Sequence, residues 1–246
     1  MPPAAYQTTN RILLALSPKG RRALWPSLSR RAVKRGEVLY EMGTEIRNLY
    51  FVESGLITLA KPMHDGRVAE IGAIGREGIV TPTGVFGGTR TVMEFVAQIP
   101  GTVLQVARED FWHQLGRDAE FAAIIERYVA VVMSQLTQTA ACNMLHSIEE
   151  RCCRWLLIAH DSALADSFPM THEFLATMLG VRRAGVQAAA AALQRRGFIS
   201  YYRGCVRIQN RRGLESAVCE CYETIRKQFE SVRNRADARR PAGISW

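Results

Sequence analysis

Residues 170–208, MTHEFLATMLGVRRAGVQAAAAALQRRGFISYYRGCVRI, carry the most specific pattern in the chain. Thr171 is a good N-cap, and Glu173 puts an acid in the first turn of a helix expected over His172–Leu179. Gly180, free to take a positive φ, supplies a short turn. A second helix is expected to start at Arg182, run through Val186, Ala189 and Leu193 to about Arg196, and stop at Gly197. Phe198–Tyr202 and Cys205–Ile208, joined at Arg203-Gly204, read as a two-stranded wing. Helix, glycine turn, helix and hairpin in that order make a winged helix-turn-helix.

That geometry has a chemical consequence. The second helix of such a motif enters a major groove N-terminus first, so Arg182 and Arg183, with Gln187, sit where base edges and phosphates lie. An arginine there can bond guanine bidentately, worth about 1–3 kcal/mol of discrimination. Arg203 at the wing tip fits a phosphate contact. The small Ala184, Gly185 and Ala188 let the helix sit deep. A solvated basic helix end is the alternative reading, and the glycine turn at the right offset and the wing weigh against it.

Charge points the same way. The formal net charge is +9 over 246 residues, with 48% hydrophobic and 22% charged residues, an ordinary globular composition that excludes disorder throughout. Residues 170–246 hold fourteen Lys/Arg against six Asp/Glu, whereas residues 1–169 hold eighteen against seventeen. A basic C-terminal third on a near-neutral front suggests a module facing a polyanion, nucleic acid ahead of a membrane surface.

Working outward toward the N-terminus, residues 10–25 read as a helical entry broken at Ser17-Pro18. From Val33 to Val106 short β-prone runs alternate with glycines, as in a small barrel or jelly roll. Its clearest hairpin pairs Leu56–Lys61 with Arg67–Ile71 across Asp65-Gly66. From Asp118 to about His146 there is neither Pro nor Gly, and Ala122, Ile125, Val129, Val132, Leu136, Thr139 and Asn143 recur at alternating spacings of three and four. A helix of about 40 Å with such a seam is expected to pair with a second copy through Ile125, Val129, Val132 and Leu136. A second helix, Ser147 to about Ala159, follows it, and then a polar loop over 161–166.

The order of these parts resembles the Crp/Fnr family of transcription regulators. The resemblance rests on Arg35-Gly36-Glu37-Val38-Leu39-Tyr40, Tyr50-Phe51-Val52-Glu53-Ser54-Gly55, Gly75-Arg76-Glu77-Gly78, Glu150-Arg151-Cys152-Cys153-Arg154-Trp155-Leu156-Leu157 and Leu179-Gly180-Val181-Arg182-Arg183. It implies an α+β chain: a cyclic-nucleotide-binding-type β-barrel over 1–116, a dimerisation helix over 117–146, a winged helix-turn-helix over 147–223 and a basic tail over 224–246. By the same resemblance Arg183 takes the guanine-reading place, and Thr171 and His172 lie near the phosphate backbone. Ala184 and Ala188 depart from the family's polar residues, so the preferred half-site is expected to differ. The implied partners are a pseudo-palindromic double-stranded DNA site, a second copy of the chain, and RNA polymerase.

The family's cyclic-nucleotide cassette pairs a Glu for the ribose with an Arg and a hydroxyl residue for the phosphate. Glu77 stands at the matching turn, but Arg90-Thr91 is displaced by about two residues and Met93-Glu94 occupies its place, so the cassette is degenerate. A cyclic nucleotide is therefore a weakly supported ligand, and no cofactor is expected. The six cysteines all lie between 142 and 221, which removes an N-terminal iron–sulfur cluster, and Cys219-x-Cys221 lacks zinc spacing with histidine partners, so no metal site is expected. His64 and His113 are weak haem-ligand candidates. No nucleophile–base pair, Walker loop or paired carboxylates suggest an enzyme. With no run of 18 apolar residues and no secretory h-region, a cytoplasmic location is expected. The alternatives are a cyclic-nucleotide-responsive version of the same regulator, or a signalling module whose basic end binds RNA or acidic lipid.

Overall fold

In the computed structural model, which describes residues 6–80, 82–85 and 87–232, the chain enters through α1 (Arg11–Ala15) and α2 (Pro18–Leu24). Each begins on a side-chain cap. Asn10 Oδ1 accepts from the N–H groups of Ile12 and Leu13, and Ser17 Oγ from that of Gly20. The buried Asn10 amide also donates to the carbonyls of Val52 and Gly78, both at 2.9 Å, so the cap fastens the entry to the sheet.

That sheet comprises β1 (Ser29–Val33), β2 (Val38–Tyr40), β3 (Asn48–Pro62), β4 (Val68–Ile74), β5 (Ile79–Val80) and, after the short α3 (Pro82–Val85), β6 (Glu94–Ala107). Its antiparallel order is β1-β6-β3-β4, with β2 also on β6 and β5 also on β3. The paired runs read from sequence at 49–52 and 56–59, and at 95–97 and 103–106, are each one bent strand. The bend lies at Gly55, with φ +86°, and at Gly101, where a Cβ would stand 2.0 Å from the Ser54 carbonyl oxygen. Register shifts there, and the sheet rolls over. Tyr50, Val52, Ile57, Leu59, Phe95 and Val103 fill its inside, while the alternate residues Leu49, Phe51, Leu104 and Val106 face the helices. The hairpin expected at Asp65-Gly66 forms, with Pro62 opposite Val68 and Gly66 at φ +81°.

After α4 (Arg108–Arg117) comes α5 (Ala119–Leu145), whose cap is Asp118 accepting from the Glu120 and Phe121 N–H groups. One side of α5 lies on the sheet. Tyr128 Oη accepts from the Ile79 N–H and donates to the Ile79 carbonyl, both at 2.9 Å, and Gln135 Nε2 donates to the Ala73 carbonyl at 3.2 Å. Next is α6 (Ile148–Ala163), opened by a capping box of Ser147 and Glu150 and one turn longer than the sequence suggests.

The remaining elements are β7 (Ser167–Pro169), α7 (His172–Leu179), α8 (Arg183–Arg195), β8 (Ile199–Tyr202), β9 (Cys205–Ile208), α9 (Arg211–Ala217) and α10 (Cys221–Ser231). β7 pairs with β9, so the expected two-stranded wing is the edge of a three-stranded sheet. Trp155, Leu156, Leu175, Met178, Val186 and Leu193 form the core here, and it continues into the rolled sheet through Leu56, Ala73 and Ile99. Among the described residues no helix is long and apolar enough to cross a membrane.

Two expectations need correction. The basic tail placed from 224 is, up to Val232, the amphipathic α10, which buries Ile225, Phe229 and Val232 in the cluster that contains α5; residues 233–246 lie outside the described residues. As a result Ile125, Val129 and Val132 are only 2%, 7% and 4% exposed, and Leu136 is half-buried. Side chains already covered within one chain have no surface left to give a second copy. The exposed stripe of α5 lies one residue further round: Glu126, Ala130, Met133, Thr137, Ala140 and Met144. It keeps the alternating spacing and is rotated by about 100°.

Candidate nucleic-acid interface and sensor cleft

The helix pair forms as its local sequence dictates. Thr171 Oγ1 accepts from the Phe174 N–H at 3.1 Å, and Gly180 closes α7 at φ +61°. Arg151 from α6 donates to the carbonyl of Leu179, a cation satisfying the last turn of α7. α8 starts one residue later than expected: Arg182 is its N-cap and contributes no side-chain acceptor, which leaves first-turn N–H groups for an outside anion. Val186, Ala189, Ala190 and Leu193 face the core, and Arg183, Ala184, Gln187 and Ala188 face solvent. Gly185 is placed by contact: a Cβ there would stand 3.1 Å from Ile148 Cδ1 of α6.

The wing turn is brought back to the start of α7. The Met170 N–H donates to the Gly204 carbonyl at 2.8 Å, Tyr201 Oη donates to the Met170 carbonyl, and the His172 ring stacks on Tyr201 with centroids 4.2 Å apart. Burial and the nearby Arg183 guanidinium hold the His172 imidazole below its ordinary pKa, so it is neutral at pH 7. Glu173 Oε2 lies 3.9 Å from Arg183 Nη1, an exposed pair that a phosphate or base can replace at little cost. Arg203, at φ +46°, holds the wing tip with its guanidinium over Tyr202. Thr171, His172, Arg183 and the wing turn thus form one connected patch, with Arg182 and Gln187 on the adjoining exposed face of α8. The Met170–Tyr201–His172 linkage was not foreseen, because it joins residues about thirty positions apart.

The cassette residues do not assemble. Arg90 Nη1 donates to the Gly43 carbonyl at 2.8 Å, and the buried Thr91 donates from Oγ1 to the Glu41 carbonyl at 2.6 Å. Both serve the 41–45 turn. Glu77 accepts from the Gly75 N–H at 2.7 Å and lines a cleft of about 130 Å³ beside Arg11, Arg76, Asp161 and Arg211, at the seam with α6. Burial raises the Glu77 carboxyl above its ordinary range. Among the described residues no hydrogen bond or ion pair joins Glu77 to Arg90 or Thr91. The cation and carboxylate that would grip opposite ends of a cyclic nucleotide serve separate structures.

Spacing along the chain also hides a cluster. Cys142 and His146 lie one turn apart at the end of α5, and the fold sets them against Cys219 and Cys221, with all four ligating atoms within 4.8 Å of one another. The i, i+4 Cys–His pair on a helix was the readable signal; its partner Cys-x-Cys comes from more than seventy residues away.

Residues 30–118 match the family model of the cyclic nucleotide-binding domain, and residues 150–217 match that of the Crp-like helix-turn-helix domain. No curated protein matches the chain. Among solved structures it is similar to a CRP-family transcriptional regulator from Thermus thermophilus, at 22% identity and TM-score 0.64 over 76% of this chain and 95% of that one. It is similar to FixK2 from Bradyrhizobium japonicum at 20% identity and TM-score 0.61, over 78% and 98%. A third likeness is to the c-di-GMP-responsive global regulator CLP of Xanthomonas campestris, at 17% identity and TM-score 0.60 over 78% and 99%. At these identities the likeness to the solved structures is one of fold.

Proposed function

Given that the chain belongs to the Crp/Fnr family of transcription regulators, we propose that it acts as a homodimer on a pseudo-palindromic double-stranded DNA site, its rolled-sheet domain setting the affinity. The observation that carries this is the solvent-facing, uncapped N-terminus of α8, with Arg182, Arg183 and Gln187 exposed beside the wing. Arg183 reads a base edge; Arg182, Arg203 and the Thr171–His172 corner position the backbone. Two such helices would enter successive major grooves about 34 Å apart.

The second copy packs on the exposed stripe of α5. Ala130, Met133, Ala140 and Met144 leave apolar surface outward, Met133 at 55% and Met144 at 84% exposure. Small residues alternating with methionine let two helices approach closely and bury the flexible thioethers between them. RNA polymerase is the further partner for a regulator bound to its site. The sheet domain acts by favouring one of two dimer arrangements, through whatever ligand binds them unequally. The separation of Glu77 from Arg90 and Thr91 argues against the family's usual cyclic-nucleotide grip.

A mobility-shift selection on random duplexes with the full chain tests the core of this. A two-fold-symmetric consensus is expected, with Arg183→Ala weakening binding roughly ten- to a hundred-fold and relaxing one base position, whereas Arg195→Ala leaves the consensus unchanged. Preference for single-stranded RNA or anionic vesicles over every duplex would overturn the proposal.

A further inference from the structure

We propose that Cys142, His146, Cys219 and Cys221 bind one tetrahedral divalent cation of the zinc class, a structural site where the long helix meets the C-terminal domain. A tetrahedral zinc with ordinary bond lengths sets its sulfurs ~3.8 Å apart and a sulfur and nitrogen ~3.6 Å apart. Cys142 Sγ lies 3.6 Å from Cys219 Sγ, and Cys221 Sγ lies 3.6 Å from His146 Nδ1. All four ligand atoms fall within 4.8 Å of one another, the span of one ion; a cluster of several irons holds its protein ligands farther apart. Three thiolates and an imidazole form a closed soft set of the kind structural zinc takes.

Three further features of the surroundings belong to a metal site rather than to a packed thiol cluster. His146 turns its other nitrogen, Nε2, to Glu220 Oε2 at 3.2 Å, the carboxylate–histidine pairing that orients a metal-bound imidazole. Gln138 Nε2 donates to Cys221 Sγ at 3.0 Å, a bond suited to a thiolate. The site would carry a net charge of about −1, from a divalent ion and three thiolates. Arg154, 1% exposed, and Arg151, 6% exposed, stand within electrostatic reach of it. Neither has a carboxylate partner among the described residues, and Arg154 Nε and Nη2 have no hydrogen-bond partner. Buried cations without anions need a negative neighbour, and the loaded site is one.

The position gives the ion a task. His146 is the residue between α5 and the Ser147 cap of α6, while Cys219 and Cys221 lie in the turn between α9 and α10. One ion would bolt the inter-domain junction to the chain's C-terminal helix.

The test uses the untagged full chain purified under reductant. Elemental analysis is expected to find one zinc per chain. After chelation, cobalt(II) titration should give thiolate charge-transfer and tetrahedral d–d bands that saturate at one equivalent and are bleached by one equivalent of zinc. Cys219→Ser/Cys221→Ser should abolish the bands, and Cys205→Ser, an exposed thiol outside the site, should keep them. If the double variant does not fold, His146→Cys is expected to keep the ion with the red-shifted bands of a four-sulfur site. Any of four results would overturn the proposal: a metal-free chain that gives no thiolate bands, bands unchanged in the folded double variant, bands unshifted by His146→Cys, or more than one iron with acid-labile sulfide. So would a Cys142–Cys219 disulfide in the reductant-purified chain.

Discussion

Glu70 offers the most quantitative handle on this molecule. It sits on β4, the strand that touches both α5 and α7, is 8% exposed, and has one carboxyl oxygen with no partner. Burial pushes its pKa up from 4.5 to about 8, and the Thr58 hydroxyl offsets only part of that. The folded chain therefore holds a proton that the unfolded chain has released above about pH 4.5. Stability from the protonated carboxyl is complete below that pH and is lost as pH rises through about 8. The gap corresponds to roughly 5 kcal/mol in full, of which roughly 3 kcal/mol falls between pH 6 and 9. Glu70→Gln keeps the shape and removes the ionisation. Urea unfolding of both proteins at fixed concentration, at steps from pH 5 to 9, should show the variant gaining on the parent as pH rises, by roughly 3 kcal/mol across the upper three units. Parallel curves would mean that Glu70 is solvated or paired, and would refute the burial on which the raised pKa rests.

Other expectations are more local. Ala140→Asp puts two like charges across a two-fold helix contact, so sedimentation should show a monomer at concentrations where the parent is dimeric; Val129→Asp should instead unfold the protomer, because Val129 is 7% exposed within one chain. Arg203→Ala should weaken DNA binding about equally for all sequences and reduce the salt slope by about one, read from affinities at several salt concentrations. Gly213→Ala forces a Cβ to within 2.4 Å of two Phe198 ring carbons, and the ring must shift. A loss of about 1–3 kcal/mol in thermal or urea unfolding is the expected cost.

What the sequence made legible was what its local chemistry settles. Thr171, Gly180 and Gly197 each act within a few residues, and the helices and wing they punctuate stand almost where expected. Asp118 and the run without Pro or Gly bounded α5 for the same reason. Facing was harder. Periodicity located a seam on α5 but not its owner, because Ile225, Phe229 and Val232 arrive from a helix hidden in what read as a charged tail. The cassette match failed similarly: Glu77 and Arg90 were lined up by position along the chain, while the carbonyls of Gly43 and Glu41 had already taken the side chains of Arg90 and Thr91. The four-residue Cys/His cluster needed tertiary structure, since only its Cys142–His146 half lies on one helix.

The packing of α10 on α5 changes what kind of motion this regulator can make. A domain joined to a lever by one residue can swivel; one fastened at His146 and again along Ile225–Val232 cannot. Two anchors on the same rod restrict the DNA-reading unit to sliding along the helix or turning with it as a block, unless α10 first peels away. Peeling would uncover Phe229 and Tyr128, now ring to ring at 6.4 Å, together with the face that holds Val129. The energy separating the two working shapes is then the adhesion of one eleven-residue helix, and the terminus of the chain, rather than its middle, becomes the latch.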